Sequence, residues 1–164
     1  MQPMVLNQLC ARRAEILKTW TALLWVEPVT TPMAEPHLLA HLFEQTLDRI
    51  FTRLKRPTCE PPPTPFHCSC GLSPYLAFFR TVEQTLLETL VLVHVENASE
   101  LSTAKRAQDL ADLRAVVRSI GNEEIALFGS VCQKRLKCWS GGQCPPSDMD
   151  ARCRMDGTVT ESLQ

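Results

Sequence analysis

The chain has 164 residues, of which 45% are apolar and 21% are charged, and its formal net charge is −1. This length and composition predict one domain with a single hydrophobic core. Nucleic acids and anionic membranes are bound by an excess of Lys and Arg, which this chain lacks. We therefore expect neither a nucleic-acid partner nor a membrane partner.

The N-terminal sequence is not typical of a signal peptide, because it begins without a basic lead and charged residues interrupt its first apolar stretch. The longest apolar run, residues 86–95, is much shorter than the ~20 residues that span a bilayer. We expect a cytoplasmic protein. Its eight cysteines would then be mostly reduced, which favours metal binding, redox sensing or core packing over disulfides.

Spacings of three and four between apolar residues predict the first two helices. The first has its apolar face at Leu6, Leu9, Ile16, Trp20 and Leu23 and ends before Pro28. The second ends at basic residues before Pro57, and its apolar face consists of Leu39, Leu42, Phe43, Thr46, Leu47, Ile50, Phe51 and Leu54. A proline-rich connector follows, because residues 57–73 hold five of the twelve prolines and cannot continue a helix.

Ser73 as N-cap and Pro74 at the first helical position predict the start of a third helix, the most buried one, which extends to Val95. The fourth helix has a seam of three-four spacing that continues past Gly121: Leu110, Leu113, Val117, Ile120, Glu124, Leu127 and Val131. Residues 140–164 are rich in Gly, Pro and Ser. We expect a helical domain at 1–139 and a flexible tail at 140–164.

Four helices joined up and down predict an all-α antiparallel four-helix bundle, with the proline-rich connector between helices 2 and 3. In this order the start of the third helix and the end of the fourth lie at the same end, together with the connector. A rise of ~1.5 Å per residue puts Pro74 level with about residue 123, and Cys132 roughly 10 to 15 Å beyond. Cys10 is expected at the same end.

The densest concentration of metal-binding side chains is Phe66-His67-Cys68-Ser69-Cys70. Zinc and other thiophilic ions take about four nitrogen or sulfur ligands, commonly as two close pairs from separate segments. Cys68 and Cys70 can form one pair, with ligands added from the set His67, Cys59, Cys132 and Cys138. Against this site, one residue between two cysteines is a tighter spacing than structural zinc sites use, and adjacent His and Cys side chains rarely bind one ion.

Two other interpretations of the thiols remain open. A helix N-terminus and nearby basic residues (Arg12, Arg13, Arg53, Arg56, Lys134 and Arg135) would favour thiolate and thus redox sensing. Alternatively, the cysteines are packing residues, because free cysteine is among the most buried residue types.

Two polar residues on apolar faces are candidates for ligand binding. Glu124 is on the seam of the fourth helix, where it would pair with His94 or an arginine or mark a ligand cavity. A slight rotation of the helix would instead bury Ile125 and leave Glu124 at the edge. His94, surrounded in sequence by valines and a leucine, is more typical of a hydrogen-bonded core histidine.

The chain contains no phosphate-binding loop, nucleophile elbow or duplicated Glu-x-x-His pair, so we expect no enzyme activity. Three motifs resemble the N-terminal helical sensor domain of RsbRD-type bacterial stress-signalling regulators: Ile16-Leu17-x-x-Trp20, Leu72-Ser73-Pro74 with the run 76–92, and Leu113-Arg114 through Cys132-x-x-Arg135. The resemblance covers about residues 5–138. It implies signal input by a helical bundle that works as a dimer, and assigns no ligand.

The sequence thus predicts a non-enzymatic sensory or regulatory module with a cysteine-histidine centre that binds zinc or another thiophilic metal, or responds to oxidants. Its expected partner is a second copy of the chain or a signalling protein. The alternative is a helical interaction module, in which the seam of the fourth helix forms a homodimer or docks a partner helix and the cysteines only pack.

Overall fold

The computed structural model describes residues 1–27, 35–56, 64–68 and 73–139, with side chains up to residue 130. All regular structure in these ranges is helical, which confirms the predicted all-α class. The helices are α1 (Pro3–Ala11), α2 (Arg13–Val26), α3 (Pro36–Leu39), α4 (Phe43–Leu54), α5 (Tyr75–Glu96) and α6 (Thr103–Trp139), and a 3-10 turn at Ala40–Leu42 joins α3 to α4.

The first predicted helix is broken in two at Arg12. This residue leaves the helical conformation, with φ −91° and ψ 17°, and its N–H donates to the carbonyl of Leu9 at 3.2 Å. The predicted apolar face of this helix is nevertheless buried on both sides of the break, including Leu9 in α1 and Trp20 in α2, and only its last residue, Leu23, is half-buried. The 3.6-residue pattern thus located the buried face, although it did not predict the break.

The predicted start of the third helix is confirmed to within one residue. Helix α5 begins at Tyr75, whose backbone N–H donates to the hydroxyl of Ser73 at 3.3 Å. Eleven of its 22 residues are buried, including Phe78 and Phe79. Helix α6 continues through Gly121 as predicted, and three of its seam residues are fully buried: Leu113, Val117 and Ile120.

Aromatic rings at the start of α5 form the centre of the core. The indole of Trp20 stacks on Phe43 with 4.2 Å between ring centroids and contacts Phe78 at 4.7 Å. Its Nε1 donates to the hydroxyl of Thr81 at 3.0 Å, so the polar atom of this fully buried side chain is satisfied. The cluster joins α2, α4 and α5.

Contacts between side chains give the directions of the helices. Gln8 and Asn97 hydrogen-bond to each other, whereas Trp20 meets Phe78, so the α1–α2 arm runs antiparallel to α5. Helix α6 also runs antiparallel to α5: His94 lies beside Asp109 at one end, Glu83 bonds Arg118, and Tyr75 contacts Phe128 at the other end.

The predicted up-down order is wrong, because α4 and α5 run in the same direction. The start of α4 meets the start of α5 through Phe43 and Phe78, whose centroids are 5.6 Å apart. The far end of α4 lies by α1, since Lys55 is close enough to Cys10 to affect its ionisation. The 16 residues at 57–72 can reach up to about 50 Å when extended, so this connector is long enough to run the length of the helices.

The chain divides into two compact units, residues 1–129 and residues 130–164. Helix α6 is described as far as Trp139, and the tail predicted at 140–164 lies outside the described residues. Within the described ranges, no helix is both long enough and apolar enough to cross a membrane.

Candidate functional site

The segment at residues 64–68, which carries the first half of the cysteine-histidine motif, is fixed to α6 by an aromatic ring. Phe66 packs over Gly121 and lies 6.0 Å from Phe79, measured between ring centroids. A Cβ atom added at Gly121 would be 2.5 Å from Cε1 of Phe66 and 2.9 Å from Cγ of Phe79. The absence of a side chain at Gly121 therefore lets both rings approach the helix.

A hydrogen bond adds a second point of attachment. The side-chain amide of Asn122 donates to the backbone carbonyl of Thr64 at 3.1 Å. We call residues 64–68, held by these two contacts, the anchored segment. Next to the anchor, His67 is exposed and Cys68 is half-buried, so an imidazole in solvent and a thiol follow directly after the ring that holds the segment.

Most of the predicted metal ligands lie outside the described residues. Cys59 and Cys70 belong to ranges that are not described, and the side chains of Cys132 and Cys138 follow residue 130. Among the side chains that are described, no group of three or more His, Cys, Asp or Glu is arranged to hold a metal ion. His67 and Cys68 supply at most two of about four ligands, so a zinc centre here remains a prediction.

Cys10 does not lie near the anchored segment, and its expected position is wrong. It is half-buried in α1 beside the end of α4, whereas the anchored segment contacts Gly121 and Asn122 close to the start of α5. Burial raises the pKa of the Cys10 thiol, and the charges of Lys55 and Arg13 offset only part of this rise. Cys10 is therefore a poor thiolate and a packing residue.

Three arginines of the expected basic cluster bind carboxylates on other helices. Arg12 forms an ion pair with Glu96, and Arg53 forms a two-pronged pair with Glu123 at 2.8 and 2.9 Å. Nη1 of Arg13 donates to Asp48 at 2.6 Å, and its other nitrogens bond Glu44. Each of these three side chains thus links two segments of the chain, and Arg13 is also close enough to the thiol of Cys10 to lower its pKa.

Glu124 lies at the edge of the apolar face of α6, as the rotated-helix interpretation predicts, while Ile125 is buried. Its carboxylate pairs with Arg49 of α4. The two side chains border a cavity of about 180 Å³ whose other lining residues are Leu42, Gln45, Thr46, Tyr75, Phe78 and Phe79. The expected arginine partner of Glu124 is thus Arg49, and a pocket open to solvent adjoins the pair.

The hydroxyl of Tyr75 belongs to the same environment. Its pKa is raised, first by burial and second by the negative charge of Glu124. Because both effects disfavour the phenolate, this hydroxyl stays protonated at neutral pH and is available as a hydrogen-bond donor.

His94 is buried as predicted, but it lacks the expected hydrogen bond at Nε2. This atom lies 3.4 Å from a carboxylate oxygen of Asp109 and makes no hydrogen bond with any described residue. Asp109, which is also buried, accepts a hydrogen bond of 2.9 Å from the backbone N–H of Gln2. The pair lies where α1, α5 and α6 meet, far along α5 from the cavity at Tyr75 and Glu124.

Sequence reasoning missed two features of this region. Gly121 was treated as a tolerated interruption of a helix, whereas it is the contact point of Phe66. Asp109 was not considered as the partner of His94. A glycine within a long helical seam is a usable signal for close packing, but nothing in the sequence indicates which ring approaches it.

No protein-family model, curated protein or solved structure matches this chain. The resemblance to RsbRD-type sensor domains therefore stays a prediction from the three motifs.

Proposed function

We propose that this protein is a non-enzymatic sensory module whose input is the chemistry of the thiols and imidazole next to the anchored segment. Metal binding or thiol oxidation at His67, Cys68 and Cys70 would pull on residues 64–68 and change how they lie on α6. The supporting observation is that Phe66, the residue directly before His67, contacts Gly121. A change at the motif cannot occur far from this contact.

The scaffold suits such a role. With α1 and α2 counted as one bent arm, and α3 and α4 as another, the module is a four-helix bundle with one long crossover between α4 and α5. The crossover carries the reactive residues, whereas ion pairs such as Arg53–Glu123 and Arg118–Glu83 hold the helices together. A signal at the crossover can then alter a surface without unfolding the core.

The metal in this proposal is zinc or another thiophilic ion, with Cys59, Cys132 and Cys138 as candidates for the remaining ligands. Thiolate and imidazole donors suit such ions. The RsbRD resemblance agrees with a cytoplasmic input module that acts on a signalling partner.

The test compares the wild-type chain with Cys68→Ser combined with Cys70→Ser, and with the matched control Cys10→Ser. The protein is purified without oxygen, its metal content is measured, and hydrogen exchange at residues 64–68 and 119–123 is followed before and after peroxide. We expect stoichiometric metal or a peroxide-induced loss of protection in the wild type and in Cys10→Ser, and neither in the double variant.

The control is informative because burial raises the pKa of Cys10, so this thiol should react slowly with peroxide and with iodoacetamide. The proposal fails if the wild type carries no metal and its exchange pattern does not respond to peroxide. It also fails if Cys10→Ser removes the response as fully as the double variant does.

A second candidate function is a dimerisation module, favoured by an apolar surface on α5. Val91, Leu92 and Val95 are 48%, 55% and 66% exposed and lie close together on the outer side of this helix. On the predicted seam of α6, Leu113, Val117 and Ile120 are buried in the core of the same unit, whereas Leu127 is 63% exposed. In this alternative the partner is a second copy, bound through α5.

A further inference from the structure

Gly121, Asn122 and Phe79 together form a recess that receives one aromatic ring and one backbone carbonyl. Phe66 occupies it, with Cε1 and Cδ1 of its ring 2.5 and 3.0 Å from the position that a Cβ at Gly121 would take. The ring centroids of Phe66 and Phe79 are 6.0 Å apart. We call Gly121, Asn122 and Phe79 the glycine notch. Its occupant is the anchored segment of the same chain.

The ring of Phe66 is an added layer on the helices, not a part of their core. Phe66 is half-buried, and the residues on either side of it are exposed. Of the three rings that contact Phe79, those of Tyr75 and Phe78 belong to α5 itself, whereas that of Phe66 comes from the anchored segment. Withdrawal of the segment would therefore uncover Phe79 and Gly121 without separating two helices.

Asn122 recognises the backbone of the segment. Its Nδ2 donates to the carbonyl of Thr64 at 3.1 Å and lies 3.5 Å from the hydroxyl of the same residue. Thr64 precedes Pro65, and a residue before proline is biased towards an extended conformation. The notch thus accepts an extended chain whose carbonyl lies two residues before an aromatic ring. Main-chain hydrogen bonds combined with side-chain pockets are a common means of recognising extended peptides.

We propose that the glycine notch is a peptide-binding site, and that the anchored segment occupies it as an internal substitute for a partner. The partner is an extended segment of another protein in which phenylalanine follows proline. Its ring replaces that of Phe66 on Gly121, and its carbonyl accepts the hydrogen bond from Asn122. The proposal rests on the proposed function in one respect, because the thiol chemistry next to Phe66 supplies the signal that withdraws the anchored segment.

Competition between the two occupants regulates the site. A partner binds only those molecules whose notch is free, so its apparent affinity is reduced in proportion to that fraction. Because the ring of Phe66 is docked in the folded chain, its removal should raise the affinity for a partner peptide by about tenfold or more. A signal that withdraws the anchored segment should have the same effect.

The probe is a synthetic peptide of residues 64–68 that carries Cys68→Ser, so that no thiol chemistry interferes. It is titrated into the full chain, as wild type and as Phe66→Ala, and the backbone NMR signals of residues 119–123 are followed. We expect saturable binding to Phe66→Ala that is about tenfold or more tighter than binding to the wild type. A second peptide that also carries Phe66→Ala should bind at least about tenfold more weakly, because it lacks the aromatic anchor.

Three further substitutions, each made in the Phe66→Ala protein, locate the site. Gly121→Ala should abolish binding, because its Cβ takes the space of the incoming ring. Gly129→Ala is the matched control on the same helix and should leave the affinity unchanged, because a Cβ there has no neighbour within 4 Å. Asn122→Ala should weaken binding by roughly three- to tenfold, the effect of one lost hydrogen bond.

The proposal is overturned if the two peptides bind equally, or if Gly121→Ala binds the first peptide as well as Gly129→Ala does. If Phe66→Ala does not fold, the wild type decides: the first peptide should speed up amide exchange of residues 64–68 in the protein, and the second should not. A wild-type dimer that Phe66→Ala abolishes would also overturn the proposal, in favour of an exchange of anchored segments between two copies. Peptide binding is measured without metal and without peroxide, so its failure is distinguishable from a failure of the proposed function.

Discussion

At the scale of single residues, two glycines of α6 are in opposite situations. A Cβ at Gly121 would overlap the rings of Phe66 and Phe79, whereas a Cβ at Gly129 would have no neighbour within 4 Å. Alanine is favoured over glycine inside a helix by about 1 kcal/mol. The two sites therefore share the same helix propensity gain and differ in the packing cost.

We expect Gly129→Ala to raise the free energy of unfolding by roughly 0.5 to 1 kcal/mol. Because of the cost of overpacking, the free energy of unfolding of Gly121→Ala should be about 1 to 3 kcal/mol lower than that of Gly129→Ala. Alternatively, Gly121→Ala avoids this cost by releasing the anchored segment. Chemical denaturation measures the first outcome, and hydrogen exchange at residues 64–68 measures the second. If the two alanine variants were equally stable and equally protected, Phe66 would not be held at Gly121.

At the scale of helices, ion pairs between α4 and α6 hold the walls of the cavity. Hydrogen bonds from Arg53 are the first cause of the lowered pKa of Glu123, and Ser119 contributes a further hydrogen bond. A lowered pKa in the folded state means that this pair stabilises the fold above the pKa of the unfolded chain, and that the contribution is lost as the pH falls through the folded value.

The pH dependence of Glu123→Gln follows from this sign. The melting temperature of the variant should lie slightly below that of the wild type at pH 7, and the difference should shrink below about pH 4, where an unfolded-state glutamate becomes protonated. The effect is small because the side chains of Arg53 and Glu123 are both more than a third exposed. Repeating the comparison in an Arg53→Gln background should remove most of the pH dependence. A difference that grows in acid would contradict the assignment.

Helix α5 has an outer surface that is unusually apolar for a helix exposed to solvent. If Val91, Leu92 and Val95 form a dimer interface, Leu92→Glu should convert a dimer to a monomer without lowering the melting temperature of the monomer. Sedimentation equilibrium of the wild type and the variant measures this. The interface would be ruled out if the wild type were monomeric at about 100 µM, a concentration at which even a weak dimer should be detected.

At the scale of the whole molecule, the part of the α6 seam formed by Leu113, Val117 and Ile120 belongs to the core. Leu113 is fully buried, so Leu113→Glu places a charge among apolar side chains, which costs several kcal/mol. We expect this variant to be unfolded or molten by circular dichroism. The same substitution at exposed Leu92 is the matched control and should stay folded. If Leu113→Glu were instead a stable monomer of a dimeric wild type, the seam would be an interface after all.

Local patterns in the chain predicted where the helices lie and most of their buried faces, but not the break at Arg12. Apolar spacing depends only on the 3.6-residue turn, so it identified Trp20, Ile50 and Leu113 as core residues without knowledge of their partners. The residues of α5 and α6 that lie opposite each other were also predictable, because only six residues, 97–102, connect the two helices and make them antiparallel neighbours. Tyr75 accordingly lies near Glu124 and Phe128.

The direction of α4 relative to α5 was decided only by tertiary packing. A 16-residue connector can join either pair of helix ends, since its reach of up to about 50 Å exceeds the length of α4, and side-chain packing between the helices then selects one arrangement. This choice separates Cys10 from the anchored segment and brings Phe66 to Gly121. The sequence by itself determined most of the residues that are buried, and which residues carry reactive groups. The tertiary structure decided which of them meet, because contacts across a long connector depend on complementary shape rather than on spacing along the chain.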